Sequence, residues 1–142
     1  MATIDLIVLG MLTRGPMSAY EIQKLVEYRN ISKWVKISTP SIYKKAIQLE
    51  EKGLIKGKII KEGKMPEKSV YSLTETGKKE FERLMFEISS KPIHIFLDFN
   101  AVIVNLESLP LEKQKICLAD IAANVQILKN SLKKNLQEKE NI

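Results

Sequence analysis

The sequence predicts a mostly α-helical chain carrying one small β-hairpin, and three observations carry that class. Apolar residues recur at helical spacing in three segments before residue 52, strand-forming runs flank a polar Gly/Pro stretch between residues 54 and 73, and a seven-residue apolar repeat runs through the last third. That order is the layout of a winged helix-turn-helix domain, expected over residues 1–90, followed by C-terminal dimerisation helices over residues 91–142.

Thr3 is placed to cap a first helix whose apolar positions Ile4, Ile7, Val8, Met11 and Leu12 repeat at three and four residues, and Gly15-Pro16 breaks it. Ser18 and Glu21 form a capping-box pattern at the start of a second helix. The serine oxygen accepts from one unpaired backbone N–H while the glutamate reaches back to another, and Ile22, Leu25 and Val26 supply the buried stripe.

The third helix is the most informative element. Thr39 is expected as its N-cap, Pro40 as its first helical residue because a missing N–H costs nothing there, and Gly53 as the left-handed residue that ends it. Ile42, Ala46 and Leu49 share one face, whereas Ser41, Lys44, Lys45 and Gln48 lie on others and can point away from the core. A short helix with one buried stripe and a polar, cationic leading turn fits a DNA major groove. Taken alone the same pattern is an amphipathic surface helix with solvated lysines. The two helices before it and the hairpin after it turn the reading toward DNA.

After Gly53, Leu54 through Ile60 and Ser69 through Leu73 read as two strands around a polar tip in which Gly63 and Pro66 exclude a helix. Lys58, Lys61, Lys64 and Lys68 place positive charge on that hairpin, beside whatever the third helix approaches. Trp34, in the connection before that helix, is read as a packing anchor rather than a ligand stacker. Thr74 caps a further helix carrying Phe81, Leu84, Met85 and Ile88, which Pro92 ends or re-aims.

Charge points the same way by an independent route. The formal net charge of +6 lies wholly in the first 91 residues, with 17 Lys plus Arg against 11 Asp plus Glu, while the remainder balances six against six. A basic surface on the helix-and-hairpin half suits displacement of counterions from phosphates. No stretch of about 18 uncharged apolar residues exists to span a bilayer, and Met1 to Asp5 lacks the positive start of a signal peptide. A cytoplasmic chain without membrane partners is expected. With one cysteine, Cys117, and one histidine, His94, there is no metal-ligand cluster and no supported nucleophile. Cys117 is expected as a small buried hydrophobe. The run Gly53 to Ile59 only imitates a phosphate loop, because three residues separate its glycines and Ile59 cannot ligate magnesium. No enzyme, cofactor or metal is expected.

In the C-terminal region, a helix is predicted from about Ile93 to Glu107, with Phe96, Phe99, Val102, Ile103 and Leu106, and Pro110 begins another. In that last helix Leu111, Leu118, Val125 and Leu132 recur every seven residues, with Ile121 and Leu128 between them. Such a seam needs a facing helix, supplied either by the chain itself or by a second copy. Residues 137–142 are polar and expected to fray.

Several blocks, in order and at their spacing, resemble the PadR family of bacterial transcriptional regulators over roughly the first 85 residues. They are Leu9-Gly10-Met11-Leu12, Gly15-Pro16 with Tyr20-Glu21-Ile22, Ser41-Ile42-Tyr43, Leu49 through Ile55, and Tyr71-Ser72-Leu73 with Thr74 and Gly77. Ser18-Ala19, Pro40 and Lys44 depart from the residues common in that family. The resemblance implies Tyr20 and Tyr43 near the DNA backbone, with an intradomain role as the other reading of Tyr20, pairing of two copies through the C-terminal helices, and repression of transcription. By their own chemistry Ser38, Thr39 and Ser41 can bond phosphates or cap the helix, Lys44, Lys45 and Gln48 are the candidates for base or backbone contact, and two readers on a two-fold axis match a palindromic double-stranded operator. Drug-responsive relatives bind flat aromatic compounds between subunits using a C-terminal tryptophan. None occurs there in this chain, and Phe96 and Phe99 are the remaining candidates for such a pocket beside the simpler role of core packing. Two other readings stand beside the repressor: a winged-helix protein-interaction module, and a ligand-binding dimer without specific DNA recognition.

Overall fold

The computed structural model describes residues 2–140, and among those the side chains of all but 2, 39, 139 and 140. Its elements are α1 (Ala2–Leu12), β1 (Met17–Ser18), α2 (Ala19–Tyr28), α3 (Thr39–Glu51), β2 (Ile55–Ile60), β3 (Lys68–Leu73), α4 (Glu75–Ser89), α5 (Phe99–Val104) and α6 (Leu111–Glu140), with 3₁₀ turns at Ile31–Lys33 and Leu106–Ser108. Two compact units divide them, Met1–Pro92 and Ile93–Ile142.

In the first unit, β2 and β3 pair antiparallel from Ile55↔Leu73 to Ile60↔Lys68, which makes the wing. The two-residue β1 adds a third strand in the order β1-β3-β2 and is too short to leave a sequence pattern. Val8 and Leu9 of α1, Ile22 of α2, Ile42 and Leu49 of α3 and Ile55 of β2 are fully buried together. Gly10 lets α4 come close, since a Cβ built there would lie 3.3 Å from the Phe81 ring. At Gly77 a Cβ would run into the Leu54 carbonyl oxygen, so only glycine lets the first turn of α4 sit on the wing root.

Local signals set most boundaries. Ser18 Oγ accepts from the Glu21 N–H at 3.2 Å and the Glu21 carboxylate accepts from the Ser18 N–H at 3.3 Å, completing the capping box. Thr74 Oγ1 accepts from the Gly77 N–H at 3.0 Å and caps α4. Gly53 takes φ 74°, with its N–H on the Glu50 carbonyl and the Leu54 N–H on the Leu49 carbonyl, the two bonds of a Schellman ending.

Four expectations are corrected. The first helix begins at Ala2, so Thr3 lies within its first turn instead of capping it. The N-cap of α3 is Ser38, one residue before Thr39, and Pro40 sits in the first turn. Trp34 is 41% exposed, with the Lys33 ammonium 5.4 Å from its ring centroid, a cationic contact in place of burial. The helix predicted from Ile93 is regular only from Phe99 to Val104: Pro92 and the β-branched, aromatic run Ile93-His94-Ile95-Phe96 disfavour helix, and 92–97 carry no regular structure.

In the second unit α6 is a single helix of 30 residues, about 45 Å long, continuing through Glu140 where fraying was expected; residues 141 and 142 lie outside those described. From residue 85 to 138 no described side chain is buried. Cys117 is accordingly half-buried rather than in a core.

Candidate nucleic-acid interface

The capping box fixes the start of α2, which projects Tyr20 with 56% of its surface exposed. Helix α3 turns Ile42, Ala46 and Leu49 into the core, and that rotation alone leaves Tyr43 and Lys44 outward and Ser41 and Gln48 at the rim. Tyr43 is 41% exposed and its hydroxyl donates to Gln23 Oε1 at 3.4 Å, a long bond that a stronger acceptor can replace. Ser38 Oγ and Ser41 Oγ lie 2.7 Å apart and bond each other, so neither hydroxyl caps the helix. The side chain of Thr39 lies outside the described ones.

Lys44 and Lys45 are adjacent in sequence but have different surroundings. Lys44 is exposed; Lys45 Nζ lies 2.9 Å from Asp5 Oδ1 of α1, with side-chain exposures of 13% and 18%. The pair touches as ions without the angle of a hydrogen bond. Lys45 therefore holds α3 against α1, at the edge of a shallow recess that also touches Ile4, Ser41, Lys44 and Gln48. The Asp5 partner has no local sequence signal.

The wing carries Lys58, Lys61, Lys64 and Lys68, all exposed, together with Lys56 on β2, which no motif singles out. Lys61 and Lys64 stand on the turn around Gly63 (φ 54°). Lys68, at the turn end of β3 opposite Ile60, is bonded to Glu21 Oε1 at 3.3 Å. Between the start of α2, Tyr43 of α3 and the wing runs a groove of ≈ 620 Å³, with Ser18, Tyr20, Glu21, Met65, Lys68 and Tyr71 among its walls. Burial raises the pKa of the Tyr71 phenol above its ordinary value, and the Glu50 carboxylate adds to the effect. The described residues hold no group of three or more His, Cys, Asp or Glu able to ligate a metal.

A helix presented on a three-helix core, flanked by a basic wing, defines a winged-helix DNA-binding transcriptional regulator. The profile of the family described as "Transcriptional regulator PadR-like family" matches residues 8–83, more than half of the chain, and the chain belongs to that family. Its members are regulators, and this chain is not an enzyme. No curated protein matches it significantly. Among solved structures it is similar to Bacillus subtilis PadR in complex with operator DNA, at TM-score 0.74 and 22% identity over 93% of this chain and 77% of that one. The same Bacillus subtilis protein in complex with p-coumaric acid aligns at TM-score 0.68 and 21% identity over 92% and 71%. A transcriptional regulator from Clostridium thermocellum aligns at TM-score 0.55 and 27% identity over 62% and 84%. No helix of the described residues is long and apolar enough to cross a membrane.

Proposed function

We propose that two copies of this chain pair through α6 and repress transcription by placing both α3 helices in successive major grooves of a palindromic operator. Exposure of Lys44 and Tyr43 on the α3 face, beside a basic wing, is the observation that carries this reading. Each subunit sets Ser38, Thr39, Ser41, Lys44 and Gln48 at the groove, Tyr20 and Tyr43 against backbone phosphate, and Lys58, Lys61, Lys64 and Lys68 along the flanking strand. Lys45 supports the reader from behind. Half-sites spaced by about one helical turn, roughly 34–36 Å, match a two-fold axis.

Pairing is supported by the second unit's lack of any buried described side chain. Leu111, Leu118, Val125, Leu128 and Leu132 are each 44–65% exposed along one helix, and Ile121 continues the row. An apolar row of that length needs cover, and a second copy supplies it. On this reading residues 1–90 form the DNA-binding domain and 91–142 the dimerisation arm, acting in the cytoplasm. An aromatic effector is the ligand class carried over from the p-coumaric acid complex of the Bacillus subtilis protein, with Phe96 and Phe99 as the aromatic residues of the arm. Selection of bound fragments from a genomic library, followed by gel shifts across salt concentrations, tests the proposal. A palindrome bound far above random duplex is expected; equal binding of the two would overturn it.

A further inference from the structure

The groove between α2, α3 and the wing lies where the proposed reading brings a DNA strand, yet its walls contain one cation, Lys68, against two carboxylates, Glu21 and Glu67. That cation is already engaged. Glu21 uses one carboxylate oxygen on the Ser18 N–H and the other on Lys68 Nζ, each at 3.3 Å. The β1–β3 pairing of Ser18 with Val70 brings the start of α2 beside β3, two residues from Lys68, so the contact is built by the sheet. Glu67 makes no ion pair among the described residues.

Resting on the DNA-binding reading above, we propose that Glu21 acts as an internal phosphate surrogate: it holds Lys68 in the unbound protein, and a DNA phosphate must displace it before Lys68 can contribute. Both ligands of the lysine are anionic oxygens, so the exchange conserves the interaction type and leaves the Glu21 charge facing the incoming strand. Glu21 thereby sets a uniform ceiling on duplex affinity, and Lys68 adds to the salt dependence only when that exchange is complete. Glutamine is the informative replacement. It serves the same capping box as glutamate, so the helix start survives while the charge that holds Lys68 is removed.

Fluorescence anisotropy of the full chain on a labelled random-sequence duplex, across salt concentrations, reads the effect. Glu21→Gln should tighten binding about two- to fivefold, the worth of one exposed ion pair, and steepen the log–log salt slope by about 0.9, one further phosphate contact. Glu67→Gln removes the same charge from the same groove without releasing a lysine, and should leave the slope unchanged. In a Lys68→Met background the steeper slope of Glu21→Gln should vanish, because no lysine is then released. Equal slope changes from the two glutamine variants, or a slope change that survives Lys68→Met, would overturn the surrogate in favour of general electrostatics. Thermal melting without DNA verifies that each variant keeps its fold. A wild-type chain that binds no duplex even at low salt would overturn the DNA-binding reading itself, and the surrogate with it.

Discussion

The Glu50 carboxylate, in the last turn of α3, accepts the backbone N–H of Gly57 in β2 at 2.6 Å, tying the reading helix directly to the wing. A Cβ on residue 57 would overlap that carboxylate oxygen and stand 3.2 Å from the Tyr71 ring. A charge-assisted bond thus adds to the shared core in fixing helix and wing in one register, across a position where a Cβ would displace the carboxylate.

Gly57→Ala should push the Glu50 side chain away and cost about 1–2 kcal/mol, the loss of one hydrogen bond to a charged acceptor that is partly solvated. Glu50→Gln should cost less, because the amide oxygen still accepts. Denaturant melts check both. Operator affinity should fall more for Gly57→Ala than Lys61→Ala lowers it, since the helix and the wing then lose one of the ties that fix their common register.

Lys44 and Lys45 should part company under mutation. Lys44→Ala should weaken duplex binding and flatten the log–log salt slope by about 0.9 with no change in melting temperature. Lys45→Ala should instead lower stability by about 1–3 kcal/mol, below the cost of breaking a fully buried pair, because Asp5 is left largely enclosed without its counter-ion. Paired melting curves and binding isotherms distinguish them; a Lys45→Ala protein of wild-type stability with the lost salt slope would reverse the assignment.

That split marks what the sequence could and could not disclose. Ser18 with Glu21, Gly53 and Thr74 were legible because each acts within a few residues of itself, through backbone groups that every helix end must satisfy. The same local logic placed Ser41, Lys44, Lys45 and Gln48 off the buried face of α3, but Lys45 lies largely enclosed against Asp5. Asp5 against Lys45, Glu21 against Lys68 and Glu50 against Gly57 join separate elements, in one case 47 residues apart, and nothing periodic announces them. The helix expected from Ile93 failed for a different reason. Its apolar residues were counted at helical spacing, while the β-branched run after Pro92 opposes that conformation.

On the wing, Lys61→Ala with Lys64→Ala should weaken all duplexes about equally, because contacts to phosphate carry little sequence information. Neither lysine makes an ion pair among the described residues, so stability should be unchanged. Competition between the selected operator and random duplex measures the ratio, which should stay within about twofold of wild type. A loss confined to one operator position would place these lysines at a base instead.

Tyr71 gives a pH dependence. Its folded pKa is raised by burial and by Glu50, so the folded chain keeps the phenol proton after the unfolded chain has released it. The contribution to stability is complete below the unfolded value near 10 and is lost as pH rises through the folded value. Stability should therefore fall more steeply above about pH 10 in wild type than in Tyr71→Phe. The difference between the two proteins isolates this residue from every other group. Urea melts across that interval, with tyrosinate absorbance as a second readout, check it.

The seam of α6 gives the most decisive test of assembly. Val125 stands 44% exposed at its centre, between Leu118 and Leu132, on a unit with no buried described side chain to shelter it. In a dimer joined along this row, Val125→Glu would place a carboxylate in the covered seam without a partner, at a cost of several kcal/mol, so about 3 or more. The variant should sediment as a monomer where wild type sediments as a dimer. The buried residues of the first unit's core, from Val8 to Leu84, all belong to that unit, so the monomer should keep a cooperative melt. It should nevertheless lose tight operator binding, because the second half-site is then reached only by an independent collision rather than from a tethered subunit. Wild-type protein that sediments as a monomer at micromolar concentration, or a Val125→Glu dimer that still binds the full operator, would show that the two copies meet along some other face.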